Sequence, residues 1–312
     1  MSMRRSGSIV VWLSTLLCIL SVALARPSAR DDRPAPGNSA FKSPQAGPPA
    51  VPAQPPSEPA GQGGRAGRGR QGDGGLPPMN PIDENAPPPP LVTAGALPGE
   101  PPSDAVVLFD GKDVSQWTRR DGSPARCKVE NREMVCRTGD ESIVSKPTYA
   151  SAQLHIEYSV PQMDAIRDGK PDGQVKGNSG VFLHGRYEIQ VLDSYQNLNK
   201  TYPDGSNASL YRVAAPLVNV SRRPGDWQTY DIILHAPRCQ DGKLTSSGDI
   251  TLIHNGVLVQ DRVVPRVRND LCQPGMTELS GPLMLQDHIP NGGPMTVMRF
   301  RNIWFRAIPQ GK

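Results

Sequence analysis

The stretch that decides the fold runs from Asn178 to Asp193 and reads NSGVFLHGRYEIQVLD. It joins a short apolar run, through a turn at His184 and Gly185, to a segment in which polar and apolar residues alternate. Alternate side chains of a β-strand share one face. The pattern therefore predicts a strand that carries Glu188 and Gln190 on one face and apolar side chains on the other.

Asp193 falls out of this alternation, and a bulge after Gln190 would return it to the polar face, because one extra residue reverses the alternation. The spacing E-x-Q-x-x-D is similar to the bulged E-x-D-x-x-E strand of laminarinase-type glucanases, whose paired carboxylates act as nucleophile and acid/base. Here the middle residue is an amide and the last is shorter. The alternative is that Glu188 and Gln190 lie on a solvated face of a half-buried antiparallel strand.

Short segments of the same kind recur from Ala105 onward, and glycine, proline, asparagine or aspartate separate most of them. The dipeptide Asn255-Gly256 lies between two β-branched runs and predicts a tight hairpin, because Asn-Gly readily adopts positive φ. A second turn at residues 110–113 precedes Trp117, a candidate core anchor. Many short strands without long helices predict an all-β fold, an antiparallel sandwich or barrel.

The N-terminal residues have the features of an export signal. Arg4 and Arg5 precede an apolar run from Ile9 to Leu24, and the small residues around Ala25 suit signal peptidase. We therefore expect a signal peptide at residues 1–25 and a secreted or periplasmic protein. No later segment approaches the roughly 20 apolar residues that a membrane span needs.

Residues 26–104 have the composition of a disordered linker: of these 79 residues, 20 are proline and 12 are glycine. Too few large apolar side chains remain to offset the entropy of ordering the backbone. Residues 105–312 are long enough for one domain with a substantial core. The formal net charge of +4 gives no strong attraction to nucleic acid or to an anionic membrane, and the sequence does not indicate an oligomeric state.

Four cysteines remain after signal cleavage, an even number that favours disulfides in an exported chain. We predict that Cys127 pairs with Cys136 across a hairpin and that Cys239 pairs with Cys272. Metal binding is the weaker alternative, because the chain has no C-x-x-C motif and no cysteine near a histidine at ligand spacing.

Several motifs together resemble the 3-keto-disaccharide hydrolase domain family and occur in the order of that family. They are LFDGKDVSQW at 108–117, NSGVFL at 178–183, YEIQVLD at 187–193, GDW at 225–227, LQDH at 285–288 and FRNI at 300–303. The resemblance covers residues 105–308. It implies a concanavalin A-like jelly-roll β-sandwich, exported by bacteria and acting on glycosides whose sugar is oxidised at carbon 3. Two departures are the insert at residues 164–176 and the cysteines.

A ketone at carbon 3 acidifies the hydrogen at carbon 2. Proton abstraction, loss of the leaving group from carbon 1 and addition of water to the enone then cleave the glycoside. Such a site needs a base, a group that stabilises the enediolate and an acid. We expect Glu188 to be the base or a metal ligand, and His288 to do acid/base work or to bind the same metal. A divalent ion is an optional cofactor that would polarise the ketone.

The other candidate residues would bind the sugar. Asn178, Gln190 and Gln286 would hold its hydroxyls, and Gln286 shares a strand face with His288. Asp193 would take a pair of hydroxyls or orient a neighbour, in a catalytic role.

Arg301 would face the oxyanion or, alternatively, form a structural ion pair with Glu188 or Asp193. Trp227 is a candidate for stacking on a pyranose, although such a tryptophan is more often part of the core.

Three functions compete at this stage. The first is a hydrolase or lyase acting on 3-keto-glycosides. The second is a non-catalytic carbohydrate-binding module that the Pro/Gly segment tethers at the cell envelope, and the third is a structural matrix protein. The polar row of Glu188, Gln190 and Asp193 with His288 favours catalysis, because a binding face would more often present exposed aromatic side chains.

Overall fold

The structure, a computed structural model, describes residues 88–288 and 293–309. The expected signal peptide, 1–25, and residues 26–87 of the expected linker lie outside the described residues. The helices found among the described residues are all too short to cross a membrane.

Seventeen β-strands and three single-turn 3₁₀ helices make up the regular structure of the described residues. In chain order the strands are β1 (Val106–Phe109), β2 (Trp117–Arg119), β3 (Lys128–Glu130), β4 (Glu133–Arg137), β5 (Ile143–Tyr149), β6 (Ala152–Ser159), β7 (Ile166–Arg167), β8 (Lys170–Pro171), β9 (Ser179–Leu183), β10 (Tyr187–Val191), β11 (Gln228–His235), β12 (Arg238–Gln240), β13 (Lys243–Ser246), β14 (Asp249–His254), β15 (Val257–Val263), β16 (Gly281–Leu285) and β17 (Val297–Ala307). The 3₁₀ helices are Tyr195–Asn197, Pro203–Gly205 and Asn269–Leu271. The predicted all-β class is confirmed.

Two antiparallel sheets contain most of these strands. The larger has eight, in the order β15-β14-β11-β6-β17-β4-β3 with β1 beside β17, and the smaller has the order β10-β9-β16-β5-β2. The pairs β7-β8 and β12-β13 form separate ribbons. Strands that neighbour each other in a sheet, such as β9 and β16, are often distant in the chain. This topology confirms the predicted jelly-roll β-sandwich.

The core lies between the two sheets, because alternate residues of each strand point toward it. On β6 the fully buried core residues include Leu154, Ile156 and Tyr158, and on β10 they include Ile189 and Val191. The residues between them face outward.

The predicted hairpin is confirmed, and Trp117 is a core residue as predicted. Asn255 and Gly256 have φ angles of 51° and 82° and connect β14 to β15 as a hairpin in which His254 pairs with Val257. Trp117 is 2% exposed. Its Nε1 donates a hydrogen bond to the Leu108 carbonyl at 2.9 Å, so the tryptophan anchors β1 to the core.

Both predicted disulfides are also confirmed. Cys127 and Cys136 join the two sides of the β3-β4 hairpin. Cys239 and Cys272 pack with Leu279 in a small apolar cluster beside the β12-β13 ribbon.

The last part of the expected linker packs against the larger sheet. The Gly99 carbonyl accepts a hydrogen bond from Trp304 Nε1 at 2.8 Å, and Asp104 forms an ion pair with Arg306 at 2.6 Å. Gly99 has a φ of 86°, and a Cβ there would lie 3.0 Å from the His155 ring. Glycine suits this backbone conformation and close approach, and residues 99 to 104 of the expected linker therefore contact the larger sheet.

A buried polar network ties the smaller sheet to the larger. The hydroxyl of Tyr230 donates to the backbone carbonyl of Gln190 at 2.7 Å and lies 2.8 Å from Asn207 Oδ1. Asn207 Nδ2 donates to the Tyr158 hydroxyl at 2.9 Å. Tyr158 and Tyr230 belong to the larger sheet and Gln190 belongs to β10. The network therefore holds β10 at a fixed distance from the larger sheet.

Replacing Asn207 with alanine should therefore cost more than a surface hydrogen bond. It leaves two buried tyrosine hydroxyls short of a partner, and we expect the free energy of unfolding to fall by about 2–4 kcal/mol. Urea unfolding measures this loss. Ser206→Ala, which removes a hydrogen bond at the surface, is the control and should change stability by less than about 1 kcal/mol; equal losses in the two variants would contradict the role of the network.

Candidate functional site

Glu188 lies on β10 and pairs with Phe182 of β9. Its strand neighbours Tyr187 and Ile189 are buried in the core. Glu188 and Gln190 therefore point away from the core on the outer face of the smaller sheet, as the alternation predicted. Glu188 is partly exposed there, whereas Gln190 is only 1% exposed.

The carboxyl of Glu188 has no cationic partner in the part of the chain that the structure describes. Burial raises its pKa to about 7. The neighbouring Gly180 leaves room for it, since a Cβ at that position would lie 2.6 Å from Glu188 Oε1. The result is a carboxyl that exchanges its proton near neutral pH.

Gln190 is the neutral neighbour of this carboxyl. The side-chain amide of Gln190 can take two orientations. In one of them Nε2 donates to Glu188 Oε1 and to the Ser179 carbonyl, both at 3.2 Å. In this orientation the Gln190 amide contacts Glu188, and the sugar-binding role that we expected for it stays a prediction.

Two more amides lie beside Gln190 and complete what we call the amide cluster, Gln174, Asn178 and Gln190. In the orientation that contacts Glu188, the Gln190 oxygen lies 3.3 Å from Gln174 Oε1 and 3.5 Å from Asn178 Oδ1, whereas in the opposite orientation Gln190 Nε2 donates to both. Asn178 Nδ2 donates to the Gln174 backbone carbonyl at 2.6 Å. Gln174 belongs to the insert, so this departure from the family pattern contributes directly to the site.

Asp193 does not join the row of Glu188 and Gln190. Strand β10 keeps a regular register with β9 and ends at Val191, so the expected bulge is absent from it. The Asp193 carboxylate forms a buried ion pair with Lys176 Nζ at 2.8 Å and accepts a hydrogen bond from the backbone N–H of Tyr195. These contacts assign Asp193 to holding the loop after β10.

His288 and Gln286 follow β16 and line a small cavity with Asn178, next to the Cys127–Cys136 disulfide. Gln286 Oε1 and His288 Nδ1 are both buried without a hydrogen-bond partner among the described residues. Burial, reinforced by the charge of Arg167, lowers the pKa of His288. The imidazole is therefore neutral at pH 7 and offers a free hydrogen-bonding atom.

The residues present do not fit the optional divalent metal. Across residues 88–288 and 293–309, no three His, Cys, Asp or Glu side chains gather closely enough to hold an ion, and no contact joins Glu188 to His288. The polar neighbour of the Glu188 carboxyl is the Gln190 amide, and no second anionic side chain pairs with it among the described residues.

Arg301 and Trp227 lie on the other sheet, away from Glu188. Arg301 pairs with Glu157 along the β17-β6 ladder, and its Nε lies 2.6 Å from Glu157 Oε2. Its guanidinium lies 4.0 Å above the ring centre of Trp227. The expected structural ion pair exists, but Glu157 is the partner instead of Glu188 or Asp193. Both side chains belong to the outer surface of the larger sheet.

Sequence reasoning missed the segment of residues 209–211, which pairs with the edge of β10 that does not face β9. Ile189 bridges to Leu210, and the backbone N–H of Tyr211 donates to the Glu188 carbonyl at 2.9 Å. The segment contains no alternating run that would mark it as a strand, which is why the sequence pattern gave no signal.

Comparisons with known proteins agree with this architecture. A family described as a 3-keto-alpha-glucoside-1,2-lyase-like domain matches residues 104–306. No curated protein matches the chain significantly.

Solved structures from Parabacteroides distasonis are similar to this chain. One, provisionally assigned as a glycosyl hydrolase, is 37% identical, and the alignment covers 72% of this chain and 93% of that chain with a TM-score of 0.60. A second, with the same provisional assignment, is 15% identical and covers 66% of this chain and 94% of that chain with a TM-score of 0.45. From the family match and the first of these structures, the chain belongs to the 3-keto-alpha-glucoside-1,2-lyase-like domain family, as its motifs predicted.

Proposed function

We propose that this protein is an exported carbohydrate-active enzyme that cleaves 3-keto-glycosides by elimination, with Glu188 as the base. The observation that carries the proposal is the state of Glu188: a partly buried carboxyl with a pKa of about 7 and no cationic partner among the described residues. Membership of the family supplies the substrate class, a sugar oxidised at carbon 3.

The elimination begins at carbon 2, whose hydrogen the adjacent ketone acidifies. A general base works best when its pKa lies near the working pH, because it is then both ionised and strong enough to accept the proton. An ordinary surface glutamate is a weaker base by more than two pKa units. Burial on β10 therefore supplies the property that the first step needs.

The other polar residues of the proposed site have two roles: one orients the carboxyl of Glu188, and the others bind the sugar. Gln190 fixes the carboxyl through its donated hydrogen bond. Gln286 and His288 have buried polar atoms without partners among the described residues, and we propose that they bind sugar oxygens or the enediolate formed from the ketone. Asn178 connects the two groups, since it contacts Gln190 and lines the cavity of Gln286 and His288.

Three residues expected at the site are not part of the proposed machinery. Asp193 is held by Lys176. Arg301 is held by Glu157 on the other sheet, with its guanidinium over the ring of Trp227.

We also propose that the chain is exported to the periplasm or the medium. Two disulfides support this, because such bonds persist in oxidising compartments. The signal-like residues 1–25 are the second argument.

Glu188→Gln should abolish turnover without abolishing binding. Removing a general base typically costs a factor of about 10²–10⁴ in kcat, and the amide keeps the shape of the carboxyl. The measurement is release of the leaving group from 3-keto-trehalose and from 4-nitrophenyl 3-keto-glucoside, with and without a chelator. Glu130→Gln, on the other sheet and paired with Arg137, is the control and should retain full activity.

Binding of these sugars by the wild-type protein without any turnover would contradict the enzyme and favour a binding module. Turnover that the chelator abolishes would contradict the metal-free chemistry.

The pH dependence of activity should follow the ionisation of Glu188. Because the base must be unprotonated, kcat/KM should rise about tenfold per pH unit below pH 7 and level off above it. Initial rates between about pH 5 and 9 measure this profile. A profile that is already flat from pH 5 upward would show that the catalytic base has an ordinary carboxyl pKa.

Ionisation of Glu188 should also affect the free energy of unfolding, which falls with rising pH where the activity rises. The pKa of Glu188 is about 4.5 in the unfolded chain and about 7 in the folded protein. Wild-type stability therefore falls as the pH rises from about 4.5 through about 7. Glu188→Gln carries no charge and should be more stable than wild type by on the order of 2 kcal/mol above about pH 8, and equal to it near pH 4. Urea unfolding at the two pH values measures the difference, and a variant less stable at high pH would contradict the buried-carboxyl description.

A further inference from the structure

Tyr211 lies directly across from Glu188 on the edge of β10 that does not pair with β9. The Leu210–Ile189 bridge is flanked by hydrogen bonds from Tyr211 N to Glu188 O at 2.9 Å and from Gln190 N to Ser209 O at 3.0 Å. This is the pattern of an antiparallel pair, in which directly opposite residues project from the same face. Leu210 is buried in the core with Ile189.

Tyr211 therefore stands beside Glu188 on the outer face of the sheet. Opposite side chains in such a pair begin about 5 Å apart, and Tyr211 is partly exposed, like Glu188. The register thus places a carboxyl and a phenol at opposite positions on the same face of the sheet.

A second tyrosine fixes the hydroxyl of Tyr211. The hydroxyls of Tyr202 and Tyr211 are 2.5 Å apart. The ring of Tyr202 packs so closely on Gly205 that a Cβ there would lie 2.0 Å from a ring carbon, and the Gly205 carbonyl accepts a hydrogen bond from Gln174 Nε2 at 3.0 Å. The two phenols are therefore connected to the amide cluster through Gln174.

The chemistry of this pair makes Tyr211 a proton donor. Burial, followed by the hydrogen bond to Tyr211, raises the pKa of Tyr202, so Tyr202 keeps its proton. Each phenol has one O–H to donate. When Tyr202 donates to the oxygen of Tyr211, the proton of Tyr211 is free for a substrate, and the same hydrogen bond stabilises the phenolate that remains after transfer.

We propose that Tyr211 is the catalytic acid that protonates the departing glycosidic oxygen, with Tyr202 as its positioning residue. The proposal rests on the proposed function. Glu188 takes the proton from carbon 2, and the electron pair of that bond forms the enediolate with the oxygen of carbon 3. The ketone then re-forms as the double bond between carbons 1 and 2 is made and the bond from carbon 1 to oxygen breaks. The leaving oxygen takes the proton of Tyr211, and proton exchange with water returns Glu188 to its carboxylate and Tyr211 to its phenol. No oxidant or reductant is needed.

The test is the dependence of rate on the leaving group. An alkoxide needs an acid to leave and a nitrophenolate does not, so Tyr211→Phe should lose about 100-fold or more in kcat on methyl 3-keto-glucoside and less than about fivefold on the 4-nitrophenyl substrate. Tyr202→Phe should show the same selectivity with a smaller loss. Tyr195→Phe, which removes a hydroxyl that contacts Arg223 in a different cleft, is the control and should match wild type on both substrates.

A second readout separates this role from a structural one. In D₂O, Tyr211→Phe should still catalyse exchange of the hydrogen at carbon 2 of methyl 3-keto-glucoside, because Glu188 is intact, while elimination stalls. Glu188→Gln should lose both exchange and elimination. Retained turnover of the 4-nitrophenyl substrate shows in the same protein that the Tyr211 variant is folded.

Equal losses on the two substrates, or no loss on either, would overturn the role of Tyr211 while leaving the base assignment in place. A wild-type protein inactive on both substrates would overturn this proposal together with the proposed function.

Discussion

The alternation of strand β10 is the constraint on which the rest of the site depends. Its inner side chains are buried between the sheets, and the hydrogen bond from Tyr230 to the Gln190 carbonyl fixes the strand from below. Glu188 must then point outward, into surroundings that supply a neutral amide but no cation among the described residues. Such surroundings penalise the charged form of the carboxyl, which is why its pKa approaches neutrality.

The polar residues of the proposed site come from separate parts of the chain. Asn178 precedes β9, Gln174 belongs to the insert, and Gln286 and His288 follow β16. The irregular segment after the second 3₁₀ helix supplies Tyr211. The jelly-roll topology brings them together because it places strands that are distant in the chain side by side. The topology that makes the sandwich stable is therefore also the topology that the proposed site requires.

The sequence predicted what local periodicity and turn chemistry control. The strands, the Asn255-Gly256 hairpin, both disulfides and the outward face of Glu188 followed from alternation, from positive φ and from residue spacing. Partners set by long-range contacts did not: Arg301 binds Glu157, which is 144 residues away in the chain. The role of Tyr211 was equally hidden, because its segment pairs with β10 without any strand pattern of its own.

The most direct test of this account is the protonation of Glu188 itself. Carbon-13 NMR of the glutamate carboxyl carbons, with Glu188→Gln used to assign the signal, gives the midpoint of that one group. The account predicts a midpoint near pH 7. A midpoint at or below the ordinary value of about 4.3 for glutamate would mean that the carboxyl is solvated or paired with a cation, and the assignment of Glu188 as the base would be contradicted.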